Sequence, residues 1–224
     1  MENILLWGSK SQAKIIENMV NEIYPNIQLN EMFDPLNKKP AYKTNLSFSN
    51  TSEELKKIIE KVSHFIICIG NEYGYARHEI SEVLKNYNLL PTSIVSENAF
   101  VDKTAIVGEG LQMMPGSVVQ KFVNFGNQCI FNTNSSIDHD CIIGNGVHIM
   151  PGATICGRVN IKDFSTIGSN STILPDITIG EGSFIGAGSV ISKNVLPYSV
   201  IVGTPGKYIR KNRLIYNNDI FRAM

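Results

Sequence analysis

This sequence of 224 residues lacks the features that mark several large classes of protein. It has no excess of charge of one sign, because 20 Lys and Arg residues balance 20 Asp and Glu residues. That balance argues against a surface that binds polyanions, so nucleic acid is not an expected partner. No apolar run reaches the length of a membrane-spanning helix, and the start, Met1–Ile4, lacks the layout of a signal peptide. We therefore expect a cytoplasmic protein without a membrane partner.

Cysteine is scarce as well, and its spacing forms no recognisable framework. The sequence has no Cys-x-x-Cys pair and no zinc-type spacing. Three of the cysteines fall inside the repeat described below as ordinary small residues, and reduced thiols are the expectation for a cytoplasmic protein. The four cysteines are Cys68, Cys129, Cys141 and Cys156.

What the sequence does have is an unbroken period of six residues from Ile94 to Val195. An apolar residue recurs at every sixth position from Val95 to Ile191. A helix repeats at about 3.6 residues and a strand at 2, so this period fits neither, and an all-β sandwich would need alternation by twos. The pattern predicts a parallel β-helix of hexapeptide repeats, in which three hexads, about 18 residues, make one triangular coil. Small residues follow four positions after the apolar ones in most hexads, for example Ala99, Ala105, Ser117, Ser135, Ala153, Ser165, Ser171, Ser183 and Ser189.

The region before the repeat alternates strand and helix patterns. Strands are predicted at residues 3–7, 27–33 and 65–69, and helices begin near Gln12, Ser52 and Tyr75. This order predicts a small parallel α/β domain. We expect three regions: an α/β domain over residues 1–90, a β-helix over 91–206, and a C-terminal cap or tail over 207–224.

Loops that follow the strands of such a sheet are the expected ligand contacts. The first loop could hold a phosphate at the N-terminus of a helix, with Lys10 helping. It does not match the Gly-x-Gly-x-x-Gly motif, so an ordinary strand–helix turn with a solvated lysine is the alternative. The candidate residues in these loops are Gly8, Ser9, Lys10, Ser11, Gln12, Asp34, Gly70 and Asn71.

The chemistry within the repeat is expected around His139, which is flanked by Asp138 and Asp140. A carboxylate can orient an imidazole and stabilise its conjugate acid, as a general base near neutral pH requires. One coil further along lies Gly157, whose backbone N–H could stabilise an oxyanion. The simpler alternative is a solvated histidine paired with an aspartate. A metal site would require three convergent histidines, and His64 and His78 fall in the predicted α/β domain, so no metal is expected.

The chain resembles the bacterial N-acetyltransferases of nucleotide-linked 4-amino sugars, which are relatives of the sialic-acid O-acetyltransferases. The resemblance covers residues 4–207 and is strongest over Asn132–Gly144 and Val202–Pro205. It implies a Rossmann-like domain that binds a sugar nucleotide, followed by a left-handed β-helix that binds acetyl-CoA. It also implies a homotrimer, with the coenzyme in the groove between neighbouring prisms.

The resemblance assigns roles to individual residues. His139 would be the general base, Asp140 would raise its basicity, and the N–H of Gly157 would face the thioester carbonyl. The sugar nucleotide would bind at the loops after the strands, where the first loop lacks the family's later glycines and histidine. The nucleotide, whether dTDP, UDP or GDP, therefore stays open. The implied acetyl-CoA contacts are Asn132, His148, Gly157, Ser169 and Ala187.

The expected reaction is direct acetyl transfer to a 4-amino-4,6-dideoxy sugar, because no serine or cysteine beside His139 forms a nucleophile–base pair. Two alternatives remain open at the level of sequence. One is O-acetylation of a sugar hydroxyl, as in the sialic-acid relatives, which would use the same base. The other is a non-catalytic trimeric scaffold that kept the fold.

Overall fold

The structure is a computed structural model that describes residues 2–24 and 26–214. Contacts divide this part of the chain into two compact units. The first comprises the residues up to Ile69 together with Glu79–Ile94, and the second comprises Gly70–His78 and the residues from Val95 onward. The segment Gly70–His78 therefore groups with the repeat, although the sequence boundaries had assigned it to the α/β domain.

The first unit contains a parallel sheet of five strands in the order β3-β2-β1-β4-β5. The predicted α/β alternation is confirmed. Strands β3 and β5 were not predicted, because two or three residues at a sheet edge are too few to give a periodic pattern. The elements are β1 (Glu2–Trp7), α1 (Ser11–Ile23), β2 (Ile27–Phe33), β3 (Ser47–Ser49), α2 (Ser52–Ile59), β4 (His64–Ile67), α3 (Gly74–Asn86) and β5 (Leu90–Pro91).

Apolar side chains between the sheet and the helices form the core of this unit. Trp7 and Phe33, at the ends of β1 and β2, meet edge to face with ring centroids 4.8 Å apart. Helix α2 begins after a capping threonine: the Thr51 hydroxyl accepts a hydrogen bond from the Glu54 N–H, and the Glu54 carboxylate accepts one from the Thr51 N–H. This reciprocal pair satisfies N–H groups that the first turn of a helix leaves without partners.

The second unit is a parallel β-helix built from two-residue strands. Up to the last coil, each strand pairs in parallel with the strand one coil further on, as Val118 with Ser136 and Ser136 with Thr154. The strands are β6 (Ile94–Val95), β7 (Phe100–Val101), β8 (Ile106–Val107), β9 (Gln112–Met113), β10 (Val118–Val119), β11 (Asn124–Phe125), β12 (Ile130–Phe131), β13 (Ser136–Ile137), β14 (Ile142–Ile143), β15 (His148–Ile149), β16 (Thr154–Ile155), β17 (Asn160–Ile161), β18 (Thr166–Ile167), β19 (Thr172–Ile173), β20 (Thr178–Ile179), β21 (Phe184–Ile185), β22 (Val190–Ile191), β23 (Ser199–Val202) and β24 (Lys207–Lys211).

These strands form three sheets, which are the faces of the prism. Sheet I contains β7, β10, β13, β16, β19 and β22; sheet II contains β8, β11, β14, β17 and β20; sheet III contains β6, β9, β12, β15, β18, β21, β23 and β24. The chain turns from sheet I to sheet II at the first edge, from II to III at the second edge, and from III to I at the third edge. The predicted period and the coil of three hexads are confirmed.

The apolar column fills the prism, and the small residues occupy its inner corners. Ile137, Ile155 and Ile173 stack one coil apart and are at most 1% exposed. Burial of each such side chain contributes roughly 1.5–3 kcal/mol before entropy is subtracted. The corner residues Ser117 and Ala153 are fully buried. A coil cannot bury this core alone, so stacking holds the unit together.

The last coil departs from the hexad register, as the sequence indicated. Strand β23 still pairs in parallel with β21, and β24 then runs antiparallel to β23 at the end of sheet III. The predicted cap or tail over 207–224 thus includes a strand, Lys207–Lys211. Its remainder beyond Leu214 lies outside the described residues. Within the described part of the chain, no helix has both the length and the apolarity needed to cross a membrane.

Candidate active site

The first edge holds the imidazole that the sequence singled out. Nδ1 of His139 lies 2.8 Å from Oδ2 of Asp140, and both side chains are about half exposed, at 45% and 52%. The carboxylate can only accept, so Nδ1 donates in this pair, and in the neutral ring Nε2 then carries the lone pair. The His139 N–H also donates to Oδ1 of Asp138, at 2.8 Å. The two flanking aspartates therefore fix the backbone and the tautomer of His139.

Gly157 lies against the free nitrogen of this imidazole. A Cβ atom at Gly157 would be 2.7 Å from both Nε2 and Cε1 of His139, closer than side-chain carbons approach such atoms. The peptide that follows is held in place, because the Arg158 N–H donates to the His139 carbonyl at 2.9 Å. The N–H of Gly157 itself makes no hydrogen bond within the described residues. A basic nitrogen and an unused backbone donor thus adjoin each other at one edge.

An ion pair continues this edge by one coil. The guanidinium of Arg158 donates to both carboxylate oxygens of Asp176, at 2.6 and 2.8 Å. This pairing holds the pKa of the Asp176 carboxyl below its usual range. The sequence pattern did not single out Arg158 and Asp176, although they occupy the position of Asp140 in the next two coils.

The implied acetyl-CoA contacts other than Gly157 are associated with sheet III and the third edge. Asn132 directly follows β12, and its Nδ2 lies 3.2 Å from Nε2 of His148 in β15. Ser169 and Ala187 occupy the same turn position in successive coils, where the Gly188 N–H donates to the Ser169 carbonyl. Asn132 therefore contacts His148 rather than His139. Within one chain, the site residues separate into two groups on different edges of the prism.

His148 is buried, with 3% of its surface exposed, and both of its ring nitrogens face protein atoms. Nδ1 lies 3.0 Å from the carbonyl oxygen of Asn71, so Nδ1 carries the proton and donates. Nε2 then accepts from the Asn132 amide. Burial first, and the charge of Arg77 second, lower the pKa of His148 to about 4. The ring is therefore neutral near pH 7.

Asn71, which accepts from Nδ1 of His148, belongs to a segment that docks on the second edge. This docked segment, Gly70–His78, comprises the loop after β4 and the first turn of α3. The fully buried Arg77 donates from Nε to the Gln128 carbonyl at 3.1 Å and from Nη2 to the Gly146 carbonyl at 2.8 Å. Gly74 packs so tightly that a Cβ there would overlap the Gly146 carbonyl oxygen. No sequence pattern identified Arg77, because a single arginine in a predicted helix is expected to be exposed to solvent.

The remaining candidate loop residues lie in the first unit, around the end of β1. Asp34 is 7% exposed, and its carboxylate accepts from the Ser9 hydroxyl at 2.6 Å, the Leu36 N–H at 3.0 Å and the Asn37 amide at 2.8 Å. These bonds give Asp34 a role in holding the loops together. Lys10 is exposed at the N-cap of α1, where no side chain caps the helix. Gly8 is buried, Ser11 is exposed and Gln12 is half-buried beside it.

Within the described residues, the cysteines and the other histidines form no further candidate for a catalytic or metal site. All four cysteines have free thiols, and burial raises the pKa of Cys129 to about 12. His78 lies in the docked segment, with its ring centroid 5.5 Å from that of Phe164, rather than in the first unit as the sequence indicated. Over residues 2–24 and 26–214, no three His, Cys, Asp or Glu side chains are placed to hold a metal ion.

Residues 158–193 match the family model described as bacterial transferase hexapeptide (six repeats). No curated protein sequence matches the chain.

Several solved structures share the fold of almost the whole chain. The acetyltransferase domain of PglB from Neisseria gonorrhoeae FA1090 is 22% identical, with a TM-score of 0.81 over 93% of this chain and 100% of that chain. A mutant of perosamine N-acetyltransferase from Caulobacter crescentus, in complex with CoA and GDP-perosamine, is 18% identical, with a TM-score of 0.84 over 94% and 98%. WeeI from Acinetobacter baumannii AYE is 22% identical, with a TM-score of 0.83 over 93% and 100%. At these identities the likeness shows a common fold.

Proposed function

We propose that this protein is an acetyl-CoA-dependent N-acetyltransferase that acetylates the 4-amino group of a nucleotide-linked 4-amino-4,6-dideoxy sugar. The observation that carries the proposal is the position of Gly157 beside Nε2 of His139, where a Cβ would overlap the ring, with Asp140 on the other ring nitrogen. The hexapeptide transferase match and the fold shared with acetyltransferases that bind CoA and GDP-perosamine support the same reaction class.

The geometry suits direct transfer. The sugar amine attacks the thioester carbonyl, the C–N bond forms, the C–S bond breaks, and the amine's excess proton passes to Nε2 of His139. The N–H of Gly157 would stabilise the oxyanion as it develops. Coenzyme A leaves as a thiolate and takes up the proton. Holding amine and thioester together can supply roughly 7–11 kcal/mol of the barrier reduction.

The first unit is proposed to be a Rossmann-like domain that binds the sugar nucleotide. Its five-stranded parallel sheet and the uncapped N-terminus of α1, next to Lys10, support this role, because a helix N-terminus favours an anion. The domains keep their sequence boundaries in this proposal: 1–90 for the nucleotide, 91–206 for a left-handed β-helix that binds acetyl-CoA, and 207–224 as a cap or tail. Four free thiols support a cytoplasmic location.

The active unit is proposed to be a homotrimer with each site shared between two chains. His139 and Gly157 lie on the first edge of the prism, whereas Asn132, Ser169 and Ala187 lie on the third edge. A cyclic trimer joins different surfaces of neighbouring subunits through heterologous contacts. Such a contact would bring the first edge of one chain to the third edge of the next, so that one acetyl-CoA could touch both groups.

Mixing two inactive variants tests the shared site. We expect the His139→Ala and Asn132→Ala proteins to be nearly inactive alone, and to regain activity when they are unfolded together and refolded in equal amounts. Random assembly gives an intact site wherever an intact His139 meets an intact Asn132, which is about a quarter of the sites in a cyclic trimer. Recovery no greater than the sum of the separate residual activities would contradict a site shared between chains.

The function itself is tested with a panel of acceptors. Wild-type protein and acetyl-CoA are incubated with dTDP-, UDP- and GDP-linked 4-amino-4,6-dideoxy sugars and with the matching 4-hydroxy sugars, and thiol release is followed. We expect release with at least one amino sugar and little with its hydroxyl counterpart. Release with the hydroxyl sugars alone would identify an O-acetyltransferase. If no acceptor leads to thiol release, the proposed acetyltransferase function is wrong.

A further inference from the structure

A chain of hydrogen bonds joins two elements that the proposed function assigns to different substrates. The Thr133 N–H donates to Oδ1 of Asn132 at 2.8 Å, which fixes the orientation of the amide and turns its Nδ2 toward His148. His148 in turn donates to the carbonyl of Asn71, in the loop after β4. One imidazole thereby touches a side chain on the acetyl-CoA side and a backbone group on the sugar-nucleotide side.

Both ends of this chain are held by further contacts. Asn71 has a positive φ of 51°, which turns its peptide sharply. Arg77 and Gly74 anchor the rest of the docked segment on the carbonyl groups of Gln128 and Gly146. Because these anchors lie further along the segment, the His148 bond is the hydrogen bond that holds the beginning of the segment, at the exposed Asn71 next to the half-buried Gly70.

The two ring nitrogens of His148 are already used within the chain. A neutral imidazole has one donor and one acceptor, and here the donor meets Asn71 and the acceptor meets Asn132. Neither nitrogen is left for a coenzyme atom. The resemblance had implied a direct contact between His148 and acetyl-CoA, and the geometry gives this side chain a different kind of role.

We propose that His148 is a positioning residue that sets the Asn132 amide for the acetyl donor with one nitrogen and the Gly70–Asn71 loop for the sugar nucleotide with the other. This inference rests on the proposed function, which assigns those two elements to the two substrates. His148 acts only through its neighbours. Its two bonds therefore serve two substrates separately, and each can be removed without the other.

Two substitutions separate the bonds. The amide of asparagine reaches about as far as Nδ1 of histidine, so His148→Asn keeps a donor for the Asn71 carbonyl and loses the Asn132 contact. The longer amide of glutamine reaches about as far as Nε2, so His148→Gln keeps an acceptor for Asn132 and loses the Asn71 contact. We expect His148→Asn to raise the KM for acetyl-CoA and His148→Gln to raise the KM for the sugar nucleotide. Each rise should be roughly 3- to 10-fold, the size of one net hydrogen bond, with the other KM unchanged.

Hydrogen exchange provides a readout that needs no activity. In the full-length protein without substrates, amides of peptides covering Gly70–His78 should exchange faster in His148→Gln than in the wild type, and at the wild-type rate in His148→Asn. Should one variant fail to fold, Asn132→Ala removes the same amide contact from the other side. It should leave exchange in the docked segment at the wild-type rate.

The outcomes separate this inference from the proposed function. Equal exchange of the docked segment in His148→Asn and His148→Gln would overturn the positioning role even in an active enzyme. A rise of the acetyl-CoA KM in both variants, with unchanged exchange, would mean that the ring contacts the coenzyme directly and would likewise overturn it. Absence of acetyl transfer by the wild type would overturn the proposed function, and with it the link between substrates, whatever the exchange rates.

Discussion

Replacing His139 with alanine should lower kcat by roughly 10²–10⁴-fold, the range that general-base catalysis contributes. Nε2 of His139 is the basic atom that faces Gly157, and Asp140 holds the opposite nitrogen in its protonated form. Alanine removes the base and leaves the coils intact, because the side chain lies outside the prism. Steady-state thiol release at saturating substrates measures the loss.

Two further variants show whether this loss belongs to the base. Lys121→Ala changes the residue at the same turn position one coil earlier, where the ammonium pairs with Asp102 at 3.2 Å, and should leave kcat close to the wild-type value. Asp140→Asn keeps a hydrogen-bonding group beside Nδ1 without the charge. Its kcat should fall between the values of Lys121→Ala and His139→Ala. Acetyl-CoA should raise the Tm of the His139→Ala protein as it does for the wild type. A His139→Ala enzyme with wild-type kcat would exclude the imidazole as the base.

Replacing Gly157 with alanine should lower kcat by roughly 10²–10³-fold, a loss comparable to that of an oxyanion-hole donor. The new Cβ would lie 2.7 Å from Nε2 and Cε1 of His139, so the imidazole has to leave its position or the backbone of the turn has to shift. Either movement separates the base from the N–H of residue 157. Thr154→Ala, at an exposed position of the preceding strand β16, is the matched control and should keep its activity.

A double-mutant cycle isolates the contact between the two residues. If the Cβ acts by displacing the imidazole, Gly157→Ala should cost little further activity once His139 is already alanine, because nothing remains for the Cβ to displace. Residues in contact commonly show such non-additive effects. Fully additive losses would indicate that Gly157→Ala acts on the fold or on coenzyme binding independently of His139.

The repeat was predictable from the sequence because its physics is local. An apolar residue at every sixth position has to point inward on every face of a coil, and Ile137 and Ile155 pair one coil apart as that rule requires. The same count placed Gly157 over His139, since positions 18 residues apart stack in a three-hexad coil. The α/β alternation before the repeat followed from strand and helix patterns, apart from the short strands β3 and β5 at the sheet edges.

The tertiary structure alone decided where the remaining site residues go. A hexad count gives a residue's position on the prism but not what covers it, so the burial of His148 beneath the docked segment and its bond to Asn71 could not be read from the pattern. The same holds for Arg77, whose carbonyl partners lie far along the chain at Gln128 and Gly146. Contacts between distant segments depend on how the chain packs after its local elements form. The sequence by itself therefore determined the coil and the His139–Gly157 pair. Long-range packing determined which contacts hold the second group of site residues, Asn132 and His148, in place.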